Sequence, residues 1–271
     1  MKKLTILTIL LSFILISWKN PQPISKKLKK VLGNNWAYVP SGETKIGDAI
    51  QNVNDFYIFK TEVGNLDYRT FLEFIKDKNP AQYKSALPDT TVWKSDVVAF
   101  NDSYMTQYFR YPGFGQYPVV GISHENALLY CKWIEENINL QVGNGEKVIV
   151  KLPSEIEWTR AARGDNHNQF YAFEGSDVKN KKGGNLANYK KEKQNNSSGM
   201  IITAGIKNYR PNEFGIYQMS GNVAEMLDEP KKVKGGSWNM PANALKIDES
   251  EMVNYPSNNV GFRPVLMVVA K

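Results

Sequence analysis

Chemistry in this 271-residue chain has to come from few reactive side chains: one cysteine, two histidines and 27 carboxylates. Cys131 stands in ENALLYCKWI, where Ala127, Leu128, Cys131 and Ile134 recur at helical spacing on one apolar face. That placement predicts a buried structural thiol, since no cation on the same face lowers its pKa. A single cysteine also excludes an intramolecular disulfide. His124 and His167 share no metal-ligand spacing and read as surface or capping residues. Among the carboxylate groupings, Glu155/Glu157 suit helix capping, Glu135/Glu136 a solvent-facing helix end, and Asp248/Glu249/Glu251 a solvated run. No Ser-His-Asp order, P-loop or GxGxxG follows a strand, so no independent catalytic set is present. The strongest candidate is a divalent-cation site around SGNVAE (220 to 225). There a tight Ser-Gly-Asn turn can aim backbone carbonyls at the point reached by Glu225. The competing role for Asn222 and Glu225 is to cap that turn through backbone amides.

The elements that must position these groups alternate strand and helix. WAYVPSGETKIGD gives two short strands around the Pro40-Ser41-Gly42 turn, and FYIFKTEV alternates as a half-buried strand. Asn65 then caps a helix whose Tyr68, Phe71, Leu72 and Ile75 follow i, i+3, i+4, i+7 spacing. YPVVGIS leads into a second helix with Ser123 as N-cap, and KLPSEIEWTRAARG into a third, with Ser154 and Glu157 as a capping box and Gly164 as the stop. From Gly164 to Pro211 the chain is rich in lysine and asparagine and predicts long surface loops. Short strands between turns complete an α+β single domain dominated by loops, without internal repeats.

Net charge is +7, but seven of the 34 basic residues and none of the 27 acids fall in residues 1–30. Residues 31–271 therefore carry no net charge, which argues against nucleic acid as a partner. Lys2 and Lys3 precede an apolar run from Leu4 to Ile16, the length of a signal-peptide core and short for a spanning helix of about 20 residues. Residues 1–30 are read as a signal peptide or N-terminal membrane anchor with a basic linker, and 31–271 as the domain. Export to the periplasm or a membrane-associated cell envelope is the expectation, with the N-terminus as the route to the membrane.

From Trp36 to Val268 the chain carries YVPSGETKIG, KTEV, YPVVGIS, YCKW, KLPSEIEW, AARG, NEFGIY, GNVAE, GGSW and GFRP in order. This series resembles the formylglycine-generating, or sulfatase-modifying factor, family. The resemblance implies a C-type-lectin-like α+β fold with little regular secondary structure. It also implies catalysis by a cysteine pair shortly after the GGSW strand, but those positions hold Met240 and Leu245. A thioether and a branched alkyl cannot replace thiolates, which bind copper and perform the redox step. A non-catalytic relative is expected, without copper.

The resemblance further implies a structural calcium held by Gln218, Gly221, Val223 and Glu225. A second family calcium site maps to Asn188, Tyr189, Ser198 and Met200, where a neutral serine replaces the charged ligand, so that site is expected to be empty or weak. The stretch 87–121 is an aromatic-rich insertion similar to the segment in gliding-motility and type IX secretion lipoproteins, the K and J components, of Bacteroidota. Those proteins share the fold, lack the cysteines and serve as envelope scaffolds. Trp93, Tyr104, Tyr108, Phe109, Tyr111 and Phe114 of this insertion are the candidate partner-binding residues. Envelope proteins, including secretion or motility components, are the expected partners. A formylglycine-generating oxidoreductase and a sulfatase-binding pseudoenzyme are the alternatives.

Overall fold

Because alternate side chains of a strand point to opposite faces, the strand Phe56–Phe59 can serve two cores at once. A computed structural model of the chain describes residues 24–94, 101–190 and 202–270 and shows it doing so. In order, the strands are β1 (Trp36–Val39), β2 (Gly42–Ile46), β3 (Ala49–Val53), β4 (Phe56–Phe59), β5 (Lys147–Lys151), β6 (Ala224–Met226), β7 (Lys232–Lys234), β8 (Ser250–Met252), β9 (Val260–Gly261) and β10 (Val265–Ala270). The helices are α1 (Lys26–Leu32), α2 (Asn65–Lys76), α3 (Pro80–Ala86), α4 (Asn101–Gln107), α5 (His124–Val142) and α6 (Glu155–Arg163). One sheet has the order β1-β4-β10-β5, a second β8-β7-β6-β9, and β2 pairs with β3 alone.

In the first sheet β4 is central and antiparallel to both neighbours, with Ile58 opposite Ala37 and Val265. Its Phe56 and Ile58 enter a core with Trp158 and Ala161 of α6. Phe59 enters the other, larger core with Tyr68 and Phe71 of α2 and Tyr130 of α5. The predicted apolar face of α2 is buried throughout, and the Ser154–Glu157 capping box is present, with Ser154 N donating to Glu157 Oε2 at 2.7 Å. The polar stretch after Gly164 has neither helix nor strand of more than one residue among its described residues.

Three expectations are corrected. Residues 26–30, assigned to a basic linker, belong to α1; Leu28 and Leu32 bury one face against the main core while the lysines face solvent. Gly64, not Asn65, is the N-cap of α2, and the Asn65 side chain instead donates to the Tyr108 and Phe114 carbonyls in the insertion. Glu135 is tied down: it accepts from Val150 N at 3.0 Å, fastening α5 to β5. The apolar run 4–16 lies outside the described residues, and among those described no helix is long and apolar enough to cross a membrane.

Candidate functional site

After β7 the chain turns through Gly235 and Gly236, both at positive φ, into Ser237-Trp238. A Cβ on Gly236 would lie 2.7 Å from the Ala244 carbonyl oxygen and 2.9 Å from Leu245 Cδ1. Only glycine permits this approach. Leu245 is fully buried with Tyr171, Val178, Ala187 and Tyr189, and its carbonyl accepts from Ser220 Oγ at 2.9 Å. Met240 is half-buried; its carbonyl accepts from Lys190 N at 2.8 Å. Ser237 Oγ donates to Asn239 Oδ1 at 2.7 Å and accepts from Asn259 Nδ2 at 3.3 Å, while Asn259 Nδ2 also reaches Asn239 Oδ1. The Ser237, Asn239 and Asn259 side chains thus bond one another, and Leu245 is packing rather than reactive.

Next to it lies a buried ionic cluster. Glu225 of β6 forms an ion pair with Arg263, whose Nη2 is 2.6 Å from Oε1, and Trp158 Nε1 donates to its Oε2 at 2.8 Å. Arg263 also donates to the Phe59 and Tyr217 carbonyls, so it joins β4, the 217–218 turn and β6. A second carboxylate, Glu62, is equally buried. It accepts from Asn222 Nδ2 at 2.8 Å and from Gln218 Nε2 at 3.4 Å. Burial pushes the Glu62 carboxyl up to about 8; Arg263 opposes the shift and Glu225 adds to it. Gln218 and Asn222 both hold positive φ, and Gln218 Oε1 is buried without a partner among the described residues.

The aromatic insertion closes over this region. Trp93 and Tyr108 are buried with Val223 and Trp238; Trp93 stacks on Trp238 at 6.4 Å between ring centroids. Tyr108 Oη donates to the Pro118 carbonyl and lies 2.7 Å from Thr203 Oγ1. Tyr104 and Phe114 pack half-buried on the same cluster, and Phe109 on the main core. Tyr111 is 57% exposed.

A model of the sulfatase-modifying factor enzyme 1-like domain matches residues 24–268. The chain belongs to the sulfatase-modifying factor family. It is similar to the inactive Cα-formylglycine-generating enzyme 2 of Bos taurus, with 30% identity over 174 residues, covering 56% of this chain and 52% of that protein. It is also similar to the formylglycine-generating enzyme of Streptomyces coelicolor, with 31% identity covering 43% of this chain and 33% of that protein. The chain thus spans at most about half the length of these curated relatives. The crystal structure of CarF superimposes with a TM-score of 0.60 at 18% identity, covering 88% of this chain and 99% of that one, which shows the shared fold.

Of the two positions where the resemblance places thiols, Leu245 fills an apolar pocket and Met240 is half-buried. The calcium expectation does not fit the residues as they stand. Glu225 already receives two nitrogens of one guanidinium and an indole N–H, leaving little negative charge for a divalent cation. Gln218 turns its amide nitrogen, not its oxygen, toward Glu62. Gly221 and Val223 frame the same turn, where Gly221 N donates to the Gly235 carbonyl at 2.8 Å and Val223 is buried. Of the second set, Asn188 donates to the Ile202 carbonyl and Tyr189 is buried, while Ser198 and Met200 lie outside the described residues.

The partner-binding expectation is corrected for Trp93 and Tyr108, which are core, because a ring cluster this dense buries its own centre before presenting a surface. His124 is corrected too: it is buried, 2.8 Å from the Leu227 carbonyl and stacked on Tyr255. Cys131 is buried as expected, and burial pushes its thiol well up. Glu62 and Arg263 were missed as site residues. Their only local signal is a charge among apolar residues, in KTEV just after β4 and in GFRP between β9 and β10, where an unpaired charge is too costly to bury.

Proposed function

We propose that this chain is a non-catalytic member of the sulfatase-modifying factor family that serves as a scaffold or accessory protein of the cell envelope, in gliding motility or type IX protein secretion. The observation that carries the non-catalytic part is Leu245, an alkyl side chain locked in a core where the family places a reactive thiol. With Met240 at the other position, no sulfur anion exists there to bind copper or to take part in oxidation. The bovine relative, named as inactive, supports the same reading. The envelope role rests on the apolar run at residues 4–16 and on the insertion at 87–121, whose exposed Tyr111 offers an amphipathic anchor to a protein partner.

Two experiments test it. Folded protein supplied with copper, oxygen and a cysteine-containing sulfatase peptide should produce no formylglycine; turnover would overturn the non-catalytic assignment. Tagged full-length protein, cross-linked and recovered from detergent-solubilised envelopes, should bring down secretion or motility components. Recovery of sulfatases would instead favour a pseudoenzyme that holds the substrate without modifying it.

A further inference from the structure

A cavity of about 580 Å³ opens where the turn after α1, the end of β4 and α5 meet. It shares no lining residue with the Ser237–Leu245 segment or with the Glu225–Arg263 pair. Its size suits one or two sugar rings or a comparable small molecule.

The charge on its walls comes first. Lys60 and Lys207 line it, and neither has a carboxylate within ion-pair distance among the described residues. The acid on the wall, Asp67, is turned onto the start of α2, where Gly64 N donates to its Oδ2 at 3.2 Å. Two ammoniums against one carboxylate leave a single positive charge, which matches a monoanion better than a phosphate dianion.

Hydrogen-bonding capacity comes second. Trp133 lines the same cavity half-buried, its Nε1 turned inward, out of reach of a ligand. The side chains of Asn34, Asn35, Thr61 and Gln116 make no hydrogen bond to other described residues. Primary amides carry donor and acceptor on one plane, as adjacent hydroxyls require of a partner. Of the apolar residues on the wall, Trp133 and Ile134 are half-buried, while Phe59 and Tyr130 belong to the core. A flat apolar acid would engage none of the amides, whereas a hydroxylated ring can exchange their water for its own donors and acceptors.

We propose that this cavity binds a monoanionic sugar acid of the hexuronate type, its carboxylate on Lys60 and Lys207 and its hydroxyls on the amide side chains. Isothermal titration of the full chain with glucuronate and galacturonate, and separately with glucose and inorganic phosphate, tests it. At least one hexuronate should bind saturably, with affinity falling as salt rises, and glucose and phosphate should bind at least about tenfold more weakly. The K60Q/K207Q variant, folded by circular dichroism, should lose about tenfold in hexuronate affinity. Absence of saturable binding by either hexuronate, equal binding of glucose or phosphate, or unchanged affinity in K60Q/K207Q would each overturn the proposal.

Discussion

Replacing Glu62 by glutamine isolates the energetics of the buried cluster. A carboxyl whose pKa rises from 4.5 unfolded to about 8 folded binds its proton more tightly in the native state. Its contribution is therefore fully present below about pH 4.5 and is lost as pH rises toward about 8. At about 1.4 kcal/mol per pH unit, the loss across that window is on the order of 5 kcal/mol. Glutamine keeps an acceptor for Asn222 Nδ2 but presents an amide nitrogen to Gln218 Nε2. Turning the Gln218 amide would bring its unpartnered Oε1 to that nitrogen and give up the 3.0 Å bond to the Gly205 carbonyl, a loss of about 1 kcal/mol. E62Q should thus lie within about 1 kcal/mol of the parent at pH 5, where the proton on Glu62 still stabilises the parent. Above pH 8 it should be more stable, by on the order of 4 kcal/mol. Urea unfolding followed by tryptophan fluorescence at several pH values from 5 to 8.5 measures both. The remaining titrating groups are common to the two proteins and cancel in the difference. A difference that stays constant across this range would refute the reasoning, since Glu62 would then carry no excess proton in the folded state.

The other predictions concern neighbouring contacts. R263M strands Glu225 without its guanidinium and should lose about 3–5 kcal/mol in urea unfolding, with R263M/E225Q recovering part of it; a loss under about 1 kcal/mol would show that the charge is solvated. L245A removes a fully buried side chain and should lose about 2–5 kcal/mol by the same measurement, whereas a surface-like loss would return Leu245 to the list of accessible residues. Y108F leaves the Pro118 carbonyl without its donor and should lose about 1–3 kcal/mol. Calcium at 1 mM should leave Tm unchanged, because Arg263 already neutralises Glu225. A site with Kd of about 10 μM would instead add about 2.7 kcal/mol, seen as a Tm rise reversed by EGTA.

Local signals in the sequence were sufficient where one turn of chain decides the outcome. Ser154 and Glu157 lie within hydrogen-bonding reach of each other along any helix, and the apolar face of α2 needs only its own spacing. The same logic failed for α1, where Leu28 and Leu32 are i, i+4 partners outnumbered by lysines that contribute charge but not burial. It failed for Asn65 because its amide binds carbonyls 43 and 49 residues away. The cluster lay further out of reach: Glu62 meets Asn222 across 160 residues and Arg263 meets Glu225 across 38. Periodicity carries no information about such pairs; only the cost of burying a charge alone says that partners must exist.

The insertion and the missing thiols belong to one physical argument. Trp93 comes from the insertion, Trp238 from the segment after β7 that leads to Met240, and the two rings stack beside Val223 of the neighbouring turn. Trp238 also donates through Nε1 to the Asn258 carbonyl, next to the Asn259 that closes the Ser237 hydrogen-bond ring. A segment that needs two cysteines to approach and react gains from freedom to move, whereas here the same segment is held on one side by an aromatic stack and on the other by Leu245 in its own core. Under the proposed scaffold role, rigidity of that kind favours a surface presented in one shape, because a partner then meets a loop that has already lost its conformational entropy. Tyr111, exposed at the rim of the stack while Phe114 beneath it is half-buried, is the residue through which that preorganisation would reach a partner.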